Sequence, residues 1–406
     1  MHKLGALALF MILIFCAEGA FCELHTRDEV RAMYAELTLD PGTSPYAQEP
    51  SASGEYSAGQ LTDAALSGAL DYVNFLRKLA YLEGNVALDS LYTLRAQHAA
   101  VLLAANDALS HDAPRPGGMS DSFYQTAHTG TMSSNIAAIN WMADDILSIA
   151  VEYFVRDDGA ANLDTLGHRR WLLNPYLGAT GFGLANSETG MSYAAMYAHD
   201  ASADPGQWES VRWPSEGAFP ADLTSADIPW SVILNPEVYA DDFSEISVQL
   251  YEKTAGRAGL RYFGVSTANY GAGPCIIFMP DLEEMGISDY QQNQVWHVRI
   301  DGLRTLDGKS ASIEYMVEMM SLYPIDPVSV EVEPRALEMD VGDLCILTAQ
   351  VVPEWADDVS VSWSSTDENV ATVDEEGYVT AVAPGKCEIV ATSINGRSDA
   401  CNVNVK

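Results

Sequence analysis

The sequence predicts an α+β protein in which a helix-rich part of the chain is followed by all-β parts, the last of them a β-sandwich. Between residues 66 and 155, apolar side chains recur at intervals of three and four, which is typical of amphipathic helices. From about residue 205 they alternate with a period of two, as in strands with one buried face. Because the chain has 406 residues and domains usually contain ~50–250, we expect two or three domains.

Three helices are predicted in the first part of the chain. The first buries a stripe of apolar residues one turn apart: Leu66, Leu70, Val73, Leu76 and Ala80. The second begins near Asp89, a favourable N-cap, and its inward stripe is predicted to be Leu91, Leu94, His98, Val101 and Ala105. His98 is therefore interpreted as a core histidine with satisfied hydrogen bonds. The third helix spans about residues 145–155, and short strands follow at 181–185 and 191–197.

The remaining strands fall into two groups. The first is a small antiparallel β domain with strands near residues 246–250, 275–278, 296–300 and 313–317. Here Trp296 faces the core and His297 points to solvent, because neighbours on a strand face opposite sides. The second group begins near residue 328 and has turns every ~8–12 residues, which is typical of a β-sandwich. Cys345 and Cys387 both face inward, so a cross-sheet disulfide is expected, with Cys401 competing for either partner.

The N-terminus has the pattern of an export signal, with Lys3, an apolar run over residues 4–15 and then small residues. We therefore predict a secreted, extracellular or cell-surface protein. No later run reaches the ~18 apolar residues that a membrane-spanning helix needs, so the mature chain is expected not to span a membrane. The predicted divisions are a signal peptide (1–22), a polar leader or linker (23–62), and domains at 63–203, 204–324 and 325–406.

The charge of the chain argues against polyanionic partners. With 57 acidic and 21 basic residues, its formal charge is −36, which repels nucleic acid and anionic membrane surfaces. The doublet of Arg169 and Arg170 is interpreted as a pair of salt-bridge donors. The sequence contains no His-Glu-x-x-His, Gly-x-Ser-x-Gly or P-loop motif, and Cys275 has no evident base partner. These observations favour a non-enzymatic role.

Three motifs in the helix-rich part carry a family resemblance. They are Leu-Ser-His at residues 109–111, Ser-Ser-Asn-Ile-Ala at 133–137, and Gly-His-Arg-Arg-Trp-Leu-Leu-Asn-Pro at 167–175 followed by Gly-Phe-Gly at 181–183. In this order and spacing, residues 64–200 resemble the bacterial branch of the CAP superfamily, also called SCP or PR-1-like domains. The resemblance implies an α-β-α sandwich whose central cleft is lined by two histidines and two acidic residues.

Four positions correspond to that cleft. His111 and His168 match the two histidines, Asp157 matches one acid, and Ser134 stands where the other acid is usual. From spacing alone, His168 is a helix-start histidine bonded to backbone. Because some family members bind a divalent metal, the resemblance implies Zn²⁺ or another divalent cation held by His111 and His168, with Asp157 as third ligand or general base. Two histidines and one carboxylate can hold Zn²⁺ with an open position, but the loss of an acid at Ser134 lowers the charge and the ligand number.

A second resemblance covers residues 326–406. Its motifs are Val-Ser-Trp-Ser-Ser at 361–365, Asn-Val-Ala-Thr-Val-Asp at 369–374, Gly-Tyr-Val-Thr-Ala-Val-Ala-Pro-Gly at 377–385 and Cys-Asn-Val-Asn-Val at 401–405. They are similar to the bacterial immunoglobulin-like group 2 (BIG2) module. The resemblance implies an immunoglobulin-like β-sandwich that serves as a surface spacer or adhesion unit of an exported bacterial protein.

Three functional hypotheses follow. The favoured one is a non-catalytic binding protein whose cleft holds a small ligand, such as a lipid or a cell-envelope glycan. The second is a metal-dependent hydrolase that uses His111, His168 and Asp157. The third is a structural surface protein in which the CAP-like part is only a stable scaffold.

Overall fold

The computed structural model describes residues 24–37, 44–82, 85–140 and 145–406. The predicted signal peptide lies outside these ranges. The described chain mixes helices with a larger share of strand, which confirms the mixed α and β composition expected from the sequence. Its helices are α1 (Arg27–Ala35), α2 (Asp63–Leu79), α3 (Ser90–Asn106), α4 (Asp121–Met132), α5 (Ile146–Arg156) and α6 (Gly167–Leu172), with a 3₁₀ turn at Ala221–Leu223.

The strands fall into three groups along the chain. Those among the helices are β1 (Tyr46–Gln48), β2 (Gln60–Leu61), β3 (Ala87–Leu88), β4 (Ser134–Ile139), β5 (Ala179–Thr180), β6 (Phe182–Asn186) and β7 (Ser192–Tyr197). The middle group is β8 (Ser210–Trp213), β9 (Gly217–Pro220), β10 (Trp230–Leu234), β11 (Ser247–Glu252), β12 (Gly256–Ala258), β13 (Leu260–Ser266), β14 (Cys275–Pro280), β15 (Val295–Arg304) and β16 (Ser310–Met320). The C-terminal group is β17 (Ser329–Glu333), β18 (Ala336–Met339), β19 (Leu344–Ile346), β20 (Thr348–Val352), β21 (Val361–Ser365), β22 (Ala371–Val373), β23 (Tyr378–Ala381), β24 (Gly385–Ser393) and β25 (Ser398–Val405).

The long helices begin at side chains that cap their free backbone amides. Thr62 caps α2 by accepting a hydrogen bond from the Ala65 amide (3.2 Å). Asp89 caps α3, as predicted, through the amide of Tyr92 (2.9 Å). Asp145 caps α5 in the same way. These caps explain why the predicted starts of the three helices agree with the structure to within a few residues.

Helix α3 buries only part of the predicted stripe. Val101 is fully buried, as predicted, whereas Leu91 and Leu94 are each 48% exposed. The prediction was wrong for these two leucines because α4 approaches α3 very closely: a Cβ placed on Gly130 would lie 2.1 Å from the carbonyl oxygen of Arg95 and 2.9 Å from the Cβ of Ala99. Only small side chains allow that spacing, so the alanine-rich face is the buried one.

His98 lies at the edge of this helix pair rather than deep in the core. It is half-buried, and its ring centroid is 4.4 Å from that of Phe123 on α4. Its Nδ1 bonds the Leu94 carbonyl at 2.8 Å. Burial lowers the pKa of His98. The satisfied hydrogen bond agrees with its interpretation as a structural histidine.

A three-stranded antiparallel sheet, in the order β4–β7–β6, lies between two layers of helices. One face packs against α3 and α4 through Ile136, Ala185, Tyr193 and Ala195. The other face packs with α2 and α5 through Ala137, Ile139, Phe182, Leu184, Ala194 and Met196. Gly183 allows α3 to rest directly on β6, because a Cβ there would lie 2.1 Å from the carbonyl oxygen of Ala96.

The middle part of the chain forms a four-stranded sheet (β13–β14–β10–β8) and a five-stranded sheet (β12–β11–β15–β16–β9). Trp230 and Trp296 are fully buried between them and join the same apolar cluster as Phe154 of α5 and Leu172 of α6. Residues 63–203 and 204–324 therefore contact each other through one apolar cluster, and their division into two domains stays a prediction. On the outer face of β15, His297 bonds Glu314 (2.8 Å), as the alternation predicts.

The C-terminal strands form the sheets β18–β25–β24–β21 and β19–β23–β22 and the pair β17–β20 around a separate apolar core. Cys345, Cys387 and Cys401 are free thiols, so the expected Cys345–Cys387 disulfide is not formed. Cys387 and Cys401 are diagonal neighbours on adjacent strands. Burial, together with the nearby Cys345 and Cys387, raises the pKa of Cys401 to about 11, so this thiol stays protonated.

Helix α1 was not anticipated, because it lies in the segment interpreted as a polar leader. Thr26 and Glu29 form a capping box at its start. Val30 is fully buried in the common core. Arg27 pairs with Glu318 of β16, and Arg31 bonds the Ser321 carbonyl. These contacts anchor the helix to the middle sheets.

Candidate functional site

The loop between α5 and α6 begins and ends in the left-handed backbone conformation. Asp157, the C-cap of α5, has φ 48°, and Leu166, which precedes α6, also has φ 48°. Aspartate tolerates this conformation, whereas leucine is strained in it. Leu166 is fully buried, so apolar packing stabilises the strained residue. The two turns bring Asp157 against the start of α6, where His168 is the second residue.

Asp157 holds the ring of His168. The Asp157 Oδ1 lies 2.9 Å from His168 Nδ1, and the Asp157 side chain is fully buried while that of His168 is 23% exposed. Asn162 donates to the same oxygen (2.8 Å), and the amide of Arg169 donates to Oδ2 (3.3 Å). Because an ionised carboxylate only accepts, Nδ1 of the imidazole carries the proton that bonds Asp157. In the neutral ring, the lone pair is then on Nε2.

His111 is oriented by the same kind of contact. Its Nδ1 lies 2.7 Å from the carbonyl oxygen of Thr131 at the end of α4, and Thr131 Oγ1 donates in return to the His111 carbonyl (2.8 Å). A carbonyl oxygen accepts only, so Nδ1 of His111 is a donor and Nε2 carries the lone pair of the neutral ring. Both imidazoles therefore present the same nitrogen.

His199 is a further imidazole in this region, and the sequence analysis did not identify it. It follows β7, and its ring centroid lies 4.3 Å from that of Trp171, which is one helical turn beyond His168 on α6. Burial and the nearby charge of His111 lower the pKa of His199. His199 thus lies near His111 and contacts α6, the helix that carries His168. No spacing motif marks His199, because strand pairing brings it to the site.

The first residues of β4 occupy the same end of the sheet. Asn135 donates from Nδ2 to the His168 carbonyl (2.9 Å), and the amide of Ala198 bonds the Ser133 carbonyl (2.8 Å). Ser134 is buried, and its hydroxyl has no hydrogen-bond partner among the described residues. Because side chains alternate along a strand, Ser134 and Asn135 point to opposite faces. Asn135 is thus the β4 residue that contacts His168, and Ser134 stays a predicted cleft residue.

The arrangement does not fit the three-ligand metal set that the family resemblance implies. Both carboxylate oxygens of Asp157 are engaged in hydrogen bonds inside the protein, so Asp157 orients His168 and has no exposed oxygen for a cation. Within the described ranges, His111 and His168 are not bonded to each other. No group of three or more His, Cys, Asp or Glu side chains in that part of the chain is placed to hold a metal ion.

The comparison with protein families matches residues 328–403 to the bacterial Ig-like domain (group 2). This confirms the BIG2 resemblance for that segment, which is an Ig-like domain. No family model supports the CAP resemblance of the preceding residues, which stays a prediction. Among the described helices, none is long and apolar enough to cross a membrane.

Curated relatives match only short stretches. Lacto-N-biosidase of Bifidobacterium bifidum is 46% identical over 70 residues, covering 17% of this chain and 6% of the relative. The 3-O-alpha-D-galactosyl-alpha-L-arabinofuranosidase of Bifidobacterium longum is 38% identical over 102 residues, covering 22% and 9%. The chain thus spans less than a tenth of either enzyme. Among solved structures, domains 4 and 5 of the S-layer protein SbsC match with 15% identity and a TM-score of 0.18, covering 27% of this chain and 64% of that one.

Proposed function

We propose that this chain is an exported cell-surface protein in which a CAP-like body binds a small ligand and the immunoglobulin-like domain acts as a spacer or adhesion unit. The binding cleft is formed by His111, Ser134, Asp157 and His168, and His199 extends it. The ligand is a lipid or a glycan of the cell envelope. The observation that carries the proposal is the fixed orientation of His168 by the buried carboxylate of Asp157.

The buried carboxylate at position 157 favours the charge of the fully buried Arg169 guanidinium, and it also contacts His168. Taking an ionised carboxylate out of water costs several kcal/mol unless its partners compensate. The left-handed turn itself would be satisfied by asparagine or glycine without a charge. The charge at Asp157 instead fixes one imidazole tautomer, with the acceptor Nε2 of His168 turned away from the buried acid. A fixed acceptor on α6, one helical turn before the half-buried Trp171, suits a small ligand with hydroxyl groups and an apolar face.

Two further observations support the assignment of compartment and family. The sheet β4–β7–β6 with helices on both faces has the layer order that the CAP resemblance implies. The Ig-like domain and the N-terminal export pattern both favour display outside the cell. Two curated relatives are named for enzymes that act on glycans, which supports a glycan-rich setting, although each match is short.

Ligand binding is favoured over metal-dependent hydrolysis because Asp157 has no oxygen left to act as a ligand or base toward the cleft. The residues that remain, His111 and His168, are fewer than the three protein ligands of a catalytic zinc site. The scaffold hypothesis predicts no ligand at all, so the binding experiment also tests it.

The proposal is tested by nuclear magnetic resonance on the mature full-length chain carrying isotope-labelled histidine. The probes are chitotriose, as a glycan, and palmitate, as a lipid. We expect one of them to shift the ring resonances of His168 and His199. Asp157→Asn should weaken that binding about tenfold or more, because one of the two acceptor oxygens becomes a donor and the negative charge beside the His168 ring is lost, so that the ring is held less firmly.

The matched control is Asp158→Asn, the next residue in the chain, whose side chain is 47% exposed and lies near Arg156. It should leave the affinity unchanged. The proposal would be abandoned if neither probe shifted the histidine resonances, or if the two variants reduced binding equally.

Calorimetric titration with ZnCl₂ tests the hydrolase hypothesis separately. We expect no stoichiometric zinc binding by the wild-type chain, since only two of the three implied ligands can reach a cation. A stoichiometric site that disappears in both His111→Ala and His168→Ala would instead favour the hydrolase.

A further inference from the structure

A second candidate site lies where the middle sheets meet the Ig-like domain. It is an open pocket of about 360 Å³ whose lining includes Asp222, Tyr290, Gln291, Gln292, Ser321 and Trp355. This volume lies within the ~300–1,000 Å³ that small-molecule sites usually occupy. None of these residues belongs to the histidine cleft. We propose that this pocket binds the end of a neutral glycan chain.

The walls of the pocket are held together by buried hydrogen bonds. Gln292 is 5% exposed, and its Nε2 donates to the Trp355 carbonyl (2.9 Å) and to Asp357 Oδ1 (2.8 Å). Its Oε1 accepts the amide of Ser321 (3.1 Å). The amide of Ile325 bonds Asp357 Oδ2 (2.7 Å). Three separate segments of the chain are thus fixed to one another, and the pocket exists before a ligand arrives, which reduces the entropy lost on binding.

Three side chains in the pocket have recognition groups that the fold does not use. The indole of Trp355 is 42% exposed and makes no ring contact within the described ranges. Asp222 accepts the Leu322 amide with Oδ2 (2.9 Å), and its Oδ1 has no hydrogen-bond partner among the described residues. The exposed side-chain amide of Gln291 is likewise unengaged in that part of the chain.

An exposed indole, a carboxylate oxygen and an amide fit a pyranose ring. The negative face of an aromatic ring attracts the slightly positive C–H groups of one sugar face. A carboxylate and an amide together accept from and donate to neighbouring hydroxyl groups. No lysine or arginine of the described chain lines the pocket, and Arg31 is engaged with Asp357 (2.8 Å). With a chain charge of −36, these features disfavour an anionic sugar, so the ligand is neutral.

Saturation-transfer magnetic resonance on the full chain tests this inference, with methyl β-glucoside, methyl β-galactoside and N-acetylglucosamine as probes. Each is used at about 10 mM, because a site of this size is expected to bind a monosaccharide with a Kd of about 1 mM. We expect transfer to at least one sugar. Trp355→Ala should weaken the affinity about tenfold or more, and Asp222→Asn should also weaken it because the free carboxylate oxygen is replaced by an amide nitrogen, which donates and cannot accept.

The variants are chosen so that folding is not at stake. Trp355 is exposed, and Asp222→Asn keeps a side-chain oxygen that can still accept the Leu322 amide. Tyr251→Ala removes another exposed aromatic ring (51%) outside the pocket and should leave transfer unchanged. The measurement is repeated in a His168→Ala background, which removes transfer from the histidine cleft, so that the remaining transfer reports on this pocket. The inference is overturned if no sugar shows transfer, or if transfer survives in both Trp355→Ala and Asp222→Asn.

Discussion

At the scale of single residues, three histidines of the candidate site differ in what holds them. His168 is fixed by the buried Asp157, His111 by a backbone carbonyl, and His199 by the ring of Trp171. The first two present Nε2, and the third is biased toward its neutral form by burial and by His111. In their neutral forms, His111 and His168 therefore offer acceptor nitrogens, which agrees with a ligand that donates hydrogen bonds.

The electrostatic link between His111 and His199 gives a direct prediction. His111→Asn should raise the pKa of His199, because a positive charge that disfavours its protonation is removed. The measurement is a pH titration of the imidazole resonances. Since the folded-state pKa of His199 is below its ordinary value of 6.5, its contribution to stability is complete above pH 6.5 and is lost as the pH falls through the lowered pKa.

The control for this prediction is His128→Asn. His128 lies on the neighbouring helix α4 and bonds Asp112 (2.8 Å). It should leave the titration of His199 unchanged. An equal shift of the His199 pKa in both variants would mean that His199 responds to the overall charge rather than to His111 specifically.

The sequence motifs identified only some of the residues of the candidate site. His111 and His168 were found because their flanking residues form recognisable motifs. Asn162 and His199 were missed because each reaches the site through tertiary contacts that leave no periodic pattern. Asn135 lies inside a recognised motif, but its contact with His168 depends on the packing of β4 against α6. The doublet of Arg169 and Arg170 was misinterpreted: their guanidinium groups bond mainly backbone carbonyls, and neither forms a salt bridge within the described chain.

At the scale of elements, helix α6 joins the helical layer to the middle sheets. Arg169 is fully buried and donates to the carbonyls of Val155 (2.5 Å), Arg156 (2.5 Å) and Pro229 (2.6 Å), as well as to Ser231 Oγ (3.1 Å). Burial lowers the pKa of Arg169 to about 10, so it remains charged at neutral pH. The Arg169 side chain thus connects the end of α5 to β10. Because Arg169 directly follows His168, these bonds also hold the backbone next to that histidine.

Arg169→Lys should destabilise the larger core by about 3 kcal/mol or more. A lysine ammonium cannot reach four acceptors in the planar arrangement of a guanidinium, so several buried acceptors lose their partners at ~1–3 kcal/mol each. Chemical unfolding monitored by tryptophan fluorescence measures the effect. Arg261→Lys, at an ion pair whose arginine is 46% exposed, should change stability by less than ~1 kcal/mol. Similar losses in both variants would refute the assigned role of Arg169.

The elements were predictable where one local signal decided them. Helices α2, α3 and α5 follow from apolar spacing and capping residues, and the alternation over β15 placed Trp296 and His297 correctly. Helices α1 and α4 were missed, because α1 has few apolar residues and α4 has a weak apolar stripe around Gly130. The exposed Leu91 and Leu94 show the same limit, since the face of α3 that is buried depends on how closely α4 packs.

At the scale of the whole molecule, the Ig-like domain is joined to the rest of the chain by a polar contact. Helices α2, α5 and α6 share one apolar cluster with the middle sheets, α3 and α4 form a second cluster with the other face of β4–β7–β6, and the Ig-like domain has its own. Asp357 of the Ig-like domain accepts hydrogen bonds from Arg31 (2.8 Å), Gln292 (2.8 Å) and the Ile325 amide (2.7 Å). The position of the Ig-like domain relative to the larger core therefore depends on a carboxylate that must be ionised.

The ionisation of Asp357 sets how this junction responds to acid. Burial opposes ionisation, but the hydrogen bonds from Arg31, the Ile325 amide and Gln292 outweigh it and lower the pKa of Asp357. A carboxylate with a lowered pKa stabilises the docked arrangement above its ordinary pKa of 3.8, and this contribution is lost as the pH falls through the lowered value. The domains should therefore stay docked on acidification to about pH 4 and separate only below it, as small-angle scattering can measure.

Asp357→Asn should loosen the junction at neutral pH by about 1–3 kcal/mol, because an amide group replaces an acceptor oxygen and faces donors of Arg31, Gln292 or Ile325. We expect a larger radius of gyration and faster proteolysis in the connecting segment 322–328. Asp358→Asn is the matched control, since within the described chain Asp358 bonds only the nearby Ser360.

The same variants also test the pocket. Because Asp357 and Gln292 together position Trp355, Asp357→Asn should weaken sugar binding in the pocket, whereas Asp358→Asn should not. Sugar binding that persisted in a visibly opened Asp357→Asn chain would show that the pocket does not need the docked Ig-like domain.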